Sequence, residues 1–425
     1  MNSKTDIDKH NADDSSPAIL TKTDPQHAES YCYQIKSVAT SITGYMVEGF
    51  DLLMIGFLIA AITTSLSISD TAAAALVTWT LIGTVAGGIF FGIFSDRFGR
   101  VKALKWGIGL YIIATTLCFL SVGYYDLLIY RFLVGFSLGG EYGIGMTLVA
   151  EAWPSKKRGR VASYVGLGWQ SGVLLAAILP PILMPLIGWK GMFLVGILPA
   201  LVAFLLRNSF HEPKIFQQQK SVKKDQLSIK LLFRDAKTTK NSIGIIILTS
   251  VQNLGYYGLM IWLPTYMAKR FNFSLTKSSL WTAVTIIGMG VGIWLFGRMA
   301  DKLGRKPTFL IYQVGAFIMV LLYSQLASPE LLLIAGAFMG LFVNGMLAGY
   351  GVVISESYPT EIRATAQNVL FNIGRGIGAL GPILVAHLAT QYSFSLAIAF
   401  LASIYIFDIA ATLFLISESK NNQLH

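Results

Sequence analysis

The chain has 425 residues, of which 54% are hydrophobic and only 13% charged, with a formal net charge of +11 and a mean hydropathy of +0.60. That much apolar surface exceeds what a soluble fold can bury, so the chain is expected in a bilayer. The positive charge then reads as a topology signal, and nucleic acid is not an expected partner.

Residues 1–36 are polar and mixed in charge, without the basic start and apolar core of a cleavable leader. They are expected to form a disordered cytoplasmic tail ahead of an uncleaved first helix. Twelve apolar segments follow, near 38–66, 74–94, 104–122, 127–151, 161–184, 189–207, 241–267, 279–299, 308–326, 330–354, 364–389 and 394–417. Each is long enough to cross a core of roughly 30 Å, which takes about 20 helical residues. None shows the two-residue alternation of a barrel strand, and lipid offers no partner to free backbone groups. The prediction is an all-α membrane protein with twelve transmembrane helices in two six-helix bundles, 37–207 and 241–417. Residues 208–240 form the polar linker between them, its basic groups facing anionic lipid headgroups, and residues 418–425 form a short tail.

Lys and Arg resist translocation, so their placement orients the chain. Twenty-seven of them fall in the tails and alternate loops on one side, against Lys190, Lys269, Arg270 and Lys277 on the other. Both termini are therefore expected in the cytoplasm, with the chain crossing the cell inner membrane. Cys32 sits at the tail boundary and Cys118 in an apolar helix, which points to neither a disulfide nor a metal site. No His/Cys/carboxylate cluster has ligand spacing and no GxxxxGK[ST] phosphate loop occurs, so neither a cofactor nor ATP as the energy source is expected.

The chain is built twice. Asp96-Arg97-Phe98-Gly99-Arg100 returns as Asp301-Lys302-Leu303-Gly304-Arg305, and the same offset of 205 maps Gly92 to Gly297, Glu151 to Glu356, Pro154 to Pro359 and Arg158 to Arg363. Parallel repeats of this size are how many secondary transporters are assembled. Gly92-x-x-x-Asp96-Arg97-x-Gly99-Arg100-x-Lys102 and its copy from Gly297 to Lys306 resemble the signature loop of the major facilitator superfamily. Glu48-Gly49-Phe50-Asp51 is similar to the Asp-Gly-Phe-Asp of its proton-coupled organic-acid symporters, with Glu in the first place. Arg131, Gly135, Gly139, Gly140, Glu141, Tyr142 and Gly143, followed by Glu151, Trp153 and Pro154, most resemble the sialate:proton symporter family. That family includes lactate and pyruvate carriers and has aromatic-acid:proton symporters as neighbours. The bacterial sialate carriers of that family hold extra helices between the halves, which this chain lacks.

The carboxylates of Asp96 and Asp301 stand at helix ends, where each can accept from free backbone N–H groups of a neighbouring helix or pair with Arg100 or Arg305. The resemblance implies a cytoplasmic gate of Asp96, Arg97, Gly99, Arg100, Asp301, Gly304 and Arg305, joined by Glu151, Arg158, Glu356 and Arg363. The plainer alternative is that these charges only enforce topology and tight turns.

Substrate chemistry is expected where the repeat breaks its own symmetry. Glu48, Asp51, Glu141, Arg131 and Arg375 are charged, while their mates Asn253, Tyr256, Met346, Gly336 and Gln170 are not. A charge at a helix centre costs roughly 2.5–3.5 kcal/mol on insertion scales and usually faces a wet cavity. Glu48 and Asp51, three residues apart, share a helical face and repel each other, which favours a proton on one of them; with Glu141 they are the candidate proton-coupling groups. The alternative is a static ion pair with an arginine of another helix. Arg375 is the candidate substrate ligand, because a guanidinium grips a carboxylate through two parallel hydrogen bonds. Arg131, higher in its helix, suits an outer gate or a second contact. Trp169, Gln170, Asn253, Tyr256, Tyr257 and Asn344 could line the cavity with donors and flat faces. His387 and Asp408 are read as bundle hydrogen-bond partners, with a second proton group as the sharper alternative.

The resulting expectation is a monomeric carrier, not an enzyme, that couples uptake of a small organic acid anion (sialate-like, monocarboxylate or aromatic) to protons by rocking its halves. The alternative is a proton-driven exporter of a drug or metabolite. The Gly381-Pro382 pair favours that reading, and the lack of a Gly-Pro pair in the fifth helix opposes it.

Overall fold

The computed structural model describes residues 25–219, 229–273 and 275–420. Helices α1 (Pro25–Leu66), α2 (Asp70–Phe98), α3 (Arg100–Leu120) and α4 (Tyr124–Ala152) come first. A long helical stretch, Ser155–Asn208, then contains two crossings. Its backbone leaves helical geometry at Gly188 (φ 69°, ψ 171°), a conformation open to glycine. Beyond that point Lys190 Nζ donates to Ser121 O and Arg207 Nη1 to Leu104 O, so the chain runs back antiparallel to α3. We number the two pieces α5 (158–187) and α6 (189–208).

The second half repeats the order as α7 (Ala236–Phe271), α8 (Leu275–Leu303), α9 (Arg305–Gln325), α10 (Pro329–Ser357), α11 (Arg363–Gln391) and α12 (Phe394–Phe414). Twelve spans result among the described residues. Helix α1 begins at Pro25, inside the stretch read as a disordered tail, and Tyr33 stacks on Phe210 with ring centroids 4.5 Å apart. Residues 1–24 lie outside the described residues. The segment read as a linker carries a short helix, Lys214–Gln219, and a 3-10 turn, Ile229–Phe233. Residues 220–228 of that segment are likewise outside the described residues.

Apolar tails solvate apolar side chains as well as a protein does, so helix contacts in a bilayer depend on close fit. Small residues supply it twice, at the repeat offset. A Cβ on Gly87 of α2 would lie 1.8 Å from Phe136 O of α4, and one on Gly292 of α8 would lie 2.1 Å from Leu341 O of α10. Gly135 against Thr80 O and Gly340 against Thr285 O repeat the arrangement at 1.9 and 2.3 Å. These glycines bring the α2–α4 and α8–α10 backbones into contact and make each half a tight body. Helices α4, α10 and α11 are interrupted near Gly139–Gly140, Met346 and Ala379–Leu380, at half depth, where the sequence reading expected continuous helices.

Candidate functional site

At the end of the bundle that carries the doubled loops, the halves are latched by a crossed set of contacts. Gly99 (φ 121°) and Gly304 (φ 111°) turn the chain between α2 and α3 and between α8 and α9 in a region that side-chain-bearing residues avoid. The turn sets Asp96, at the end of α2, against the first residues of α11. It accepts from Ala364 N at 3.2 Å and Thr365 N at 2.7 Å. Asp301 does the same at the start of α5, accepting from Gly159 N at 2.9 Å and Arg160 N at 3.1 Å. Each acid thus caps a helix of the opposite half, where unpaired N–H groups and the helix dipole favour negative charge.

Behind the caps, Arg100 and Arg305 hold Glu151 and Glu356 through paired hydrogen bonds of 2.9–3.2 Å. Glu151 is shared with Arg363 of the other half at 2.9 Å, and Glu356 with Arg158 at 3.5 Å. Two acids outside the expected set complete this layer. Glu212 accepts from the backbone N–H groups of Arg100, Val101 and Lys102, and Glu418 from those of Arg305 and Lys306. Arg97, also expected in the gate, lies over the Phe98 ring at 5.5 Å.

The five symmetry-breaking charges, joined by Arg207, form three buried pairs. Glu48 of α1 meets Arg375 of α11 at 2.6 Å, which joins the two halves at mid-depth. Asp51 meets Arg131 at 2.8 Å and accepts from Tyr111 at 3.4 Å, entirely inside the N-terminal half. Glu141 meets Arg207 at 2.5 Å, and Arg207 also donates to Leu104 O and Thr40 O. The mutual repulsion expected of Glu48 and Asp51 is therefore relieved: three residues apart on a helix, they diverge enough for each to face its own guanidinium. Arg131 stays among α1, α2 and α6, donating to Thr80 Oγ1 and lying over Phe193, and is not brought to the interface between the halves. Arg207, counted by its position as a loop residue, is a fully buried helical residue.

Around Arg375 the aromatic candidates converge. Its guanidinium carbon lies 5.7 Å from the Trp169 ring centre and 5.2 Å from that of Phe371, within cation–π reach. Tyr142 stacks on Phe371 at 4.0 Å, Tyr45 touches both Tyr142 and Trp169, and Trp169 Nε1 donates to the Tyr256 hydroxyl at 3.3 Å. Tyr257 packs against Tyr256. Tyr45, Tyr142 and Phe371 were missed by the sequence reading, since an aromatic in an apolar helix carries no mark of the side it faces. A polar chain lies beside them: Gln252 donates to Asn344 at 2.6 Å, and Asn344 to Gln170 at 3.1 Å. Asn253 is not part of it; its amide returns to Thr249 O of its own helix.

Arg375 also lines a cavity of about 890 Å³ between α1, α2, α7 and α11. Its remaining wall is almost wholly apolar, from Leu52, Ile59, Leu81, Val85, Ile261 and Leu380 among others. No group of three or more His, Cys, Asp or Glu able to hold a metal occurs among the described residues. The arrangement offers one fixed cation, a carboxylate that competes for it, flat aromatic faces and an apolar space.

The Major Facilitator Superfamily model matches residues 42–294 and 245–424 of this chain. A putative metabolite transport protein of Haemophilus influenzae is 56% identical over 92% of this chain and 98% of its own. The cis,cis-muconate transport protein of Acinetobacter baylyi is 31% identical over 85% and 89%, and a sialic acid transporter of Escherichia coli, NanX, 29% over 91% and 97%. The solved structure of a proton:xylose symporter bound to 6-bromo-6-deoxy-D-glucose superposes with a TM-score of 0.81 at 18% identity, covering 93% of this chain and 98% of that one. With the twelve-span fold and its doubled loops, these matches show that the chain belongs to the Major Facilitator Superfamily and is a membrane transporter, not an enzyme.

Proposed function

We propose that the protein is a proton-coupled symporter that takes up a small organic acid anion by alternating access, with its doubled loops on the cytoplasmic side of the cell inner membrane. The observation that carries this reading is the Glu48–Arg375 pair, buried between the halves at 2.6 Å. A carboxylate substrate and Glu48 compete for one guanidinium. When Glu48 takes a proton it loses its claim on Arg375, and the substrate anion replaces it. Net charge in the site is then the same empty and loaded, which avoids burying an uncompensated ion during the crossing. For a monovalent anion this predicts one proton per substrate.

Asp51 and Glu141 hold Arg131 and Arg207 inside the N-terminal half and serve there as fixed counter-charges. The apolar cavity beside Arg375 and the ring of Trp169, Phe371 and Tyr142 favour an acid with a flat or apolar body. The relatives named for muconate and sialic acid, both carboxylic acids, support the class. The test is uptake into proteoliposomes under an imposed pH gradient, screened across sialic acid, lactate, pyruvate, muconate and aromatic acids. We expect accumulation of one class, abolished in Glu48→Gln while exchange of substrate for substrate persists. Uphill accumulation by Glu48→Gln, or no gradient-driven uptake of any acid, overturns the reading.

A further inference from the structure

Among the described residues, the C-terminal half holds a carboxylate with no basic side chain within 4 Å. Asp408, about two-thirds of the way along α12, is fully buried and enters no ion pair. Elsewhere in the membrane-spanning region the buried acids Glu48, Asp51, Asp96, Glu141, Glu151 and Glu356 each have an arginine. Isolating an ionised carboxylate in a low-dielectric bundle is costly enough that such a group gives up its charge or binds a cation.

The neighbours decide between those two. Tyr405, one turn earlier on α12, and Tyr350 on α10 lie close enough to interact electrostatically with Asp408. Gln313 on α9 turns its amide towards it, although its N–H donates to Thr412 at 2.7 Å. The two Asp408 oxygens, the two tyrosine hydroxyls and Gln313 Oε1 make no hydrogen bond within the protein. All five are oxygens, and the donors beside an ionised Asp408, the two phenols and the Gln313 amide, are neutral and leave its charge uncompensated. One proton on Asp408 adds a further donor and removes the charge. The other elements bring no charge: α7 offers Gly255 against the Tyr405 hydroxyl, His387 of α11 is exposed, and Lys306 of α9 is held by Leu413 O and Ile416 O at the helix end.

We propose that Asp408 is a second proton-binding site, separate from the Glu48–Arg375 pair and holding its proton in this conformation. Tyr350 links it towards the centre, since it interacts with Tyr142, whose hydroxyl donates to Leu347 O one turn earlier on α10. The proposal does not rest on the transport reading, and its test reads the proton directly. Infrared spectra of the purified wild-type protein at neutral pH should show a carboxylic-acid C=O band that shifts in heavy water. Asp408→Asn should lose that band, and Glu48→Gln should keep it. Tyr405→Phe should move its frequency, which tests the assignment in a chain that retains the aspartate if Asp408→Asn fails to fold. An Asp408→Asn spectrum that still carries the full band, or a band unmoved by Tyr405→Phe, overturns the proposal. So does a sodium-dependent rise in wild-type melting temperature that Asp408→Asn removes, which would assign the site to a metal cation.

Discussion

Removing the Asp96 carboxylate should tip the protein away from the conformation described. Asp96→Ala deletes two hydrogen bonds from the N-terminus of α11, at 3.2 and 2.7 Å, while Arg100 keeps Glu151 at 3.1 Å. A hydrogen bond to a charged group contributes about 1.5–3 kcal/mol, and the pair is not additive, so we expect a loss of about 2–4 kcal/mol from the latched state. At 1.4 kcal/mol per tenfold, the ratio of latched to open molecules falls by about thirty-fold to several hundred-fold. The assay is alkylation of Ile383→Cys, which lines the cavity beside Arg375, in a chain with Cys32 and Cys118 replaced. A membrane-impermeant maleimide is applied from the side opposite the doubled loops. Labelling should slow by about tenfold or more in Asp96→Ala and, through the repeat, in Asp301→Ala. Asp126→Ala, which frees only Val122 N and Gly123 N at the other face, should leave the rate unchanged. Unaltered labelling in both latch variants, with the protein folded, would refute the reasoning.

Other perturbations follow from the same geometry. Arg375→Lys keeps the charge but loses the planar fork, and on the proposed function it should raise the KM for the acid that is taken up about tenfold. Arg207→Ala strands Glu141 without a cation and should cost about 3–5 kcal/mol, read as a lower melting temperature in detergent; adding Glu141→Gln should restore part of it. Gly87→Val forces α2 from α4, because even a Cβ would sit 1.8 Å from Phe136 O, and should sharply reduce the monodisperse fraction on size exclusion. Gly56→Ala, where an added Cβ meets nothing within 4 Å, should leave that fraction intact.

The latch was legible in the sequence because a repeat displays its own geometry. Asp96 and Asp301 share a register with Glu151 and Glu356, and the residues they cap, Gly159 and Ala364, also differ by 205. Glu212 and Glu418 escaped because their spacing departs from that offset by one residue, and because a carboxylate in a polar segment resembles any other. The site was legible as a set of charges and not as a set of partners. Which arginine meets Glu48, Asp51 or Glu141 depends on helix rotation and on which bundle faces which, and neither leaves a trace in spacing. Arg207 shows the same limit: ending an apolar run, it has the sequence signature of a topology charge, yet α6 turns it inward to Glu141.

Glu151 and Glu356 are each held twice, once by an arginine of their own half and once by an arginine of the other. When the halves part at this face, neither carboxylate is left bare, since Arg100 and Arg305 travel with them. Arg158 and Arg363, the released partners, lie at the membrane edge where water can take over. Opening therefore exchanges buried, paired charges for solvated ones without stranding an ion in lipid. The chain thereby carries the counter-ions for both arrangements of its halves within itself.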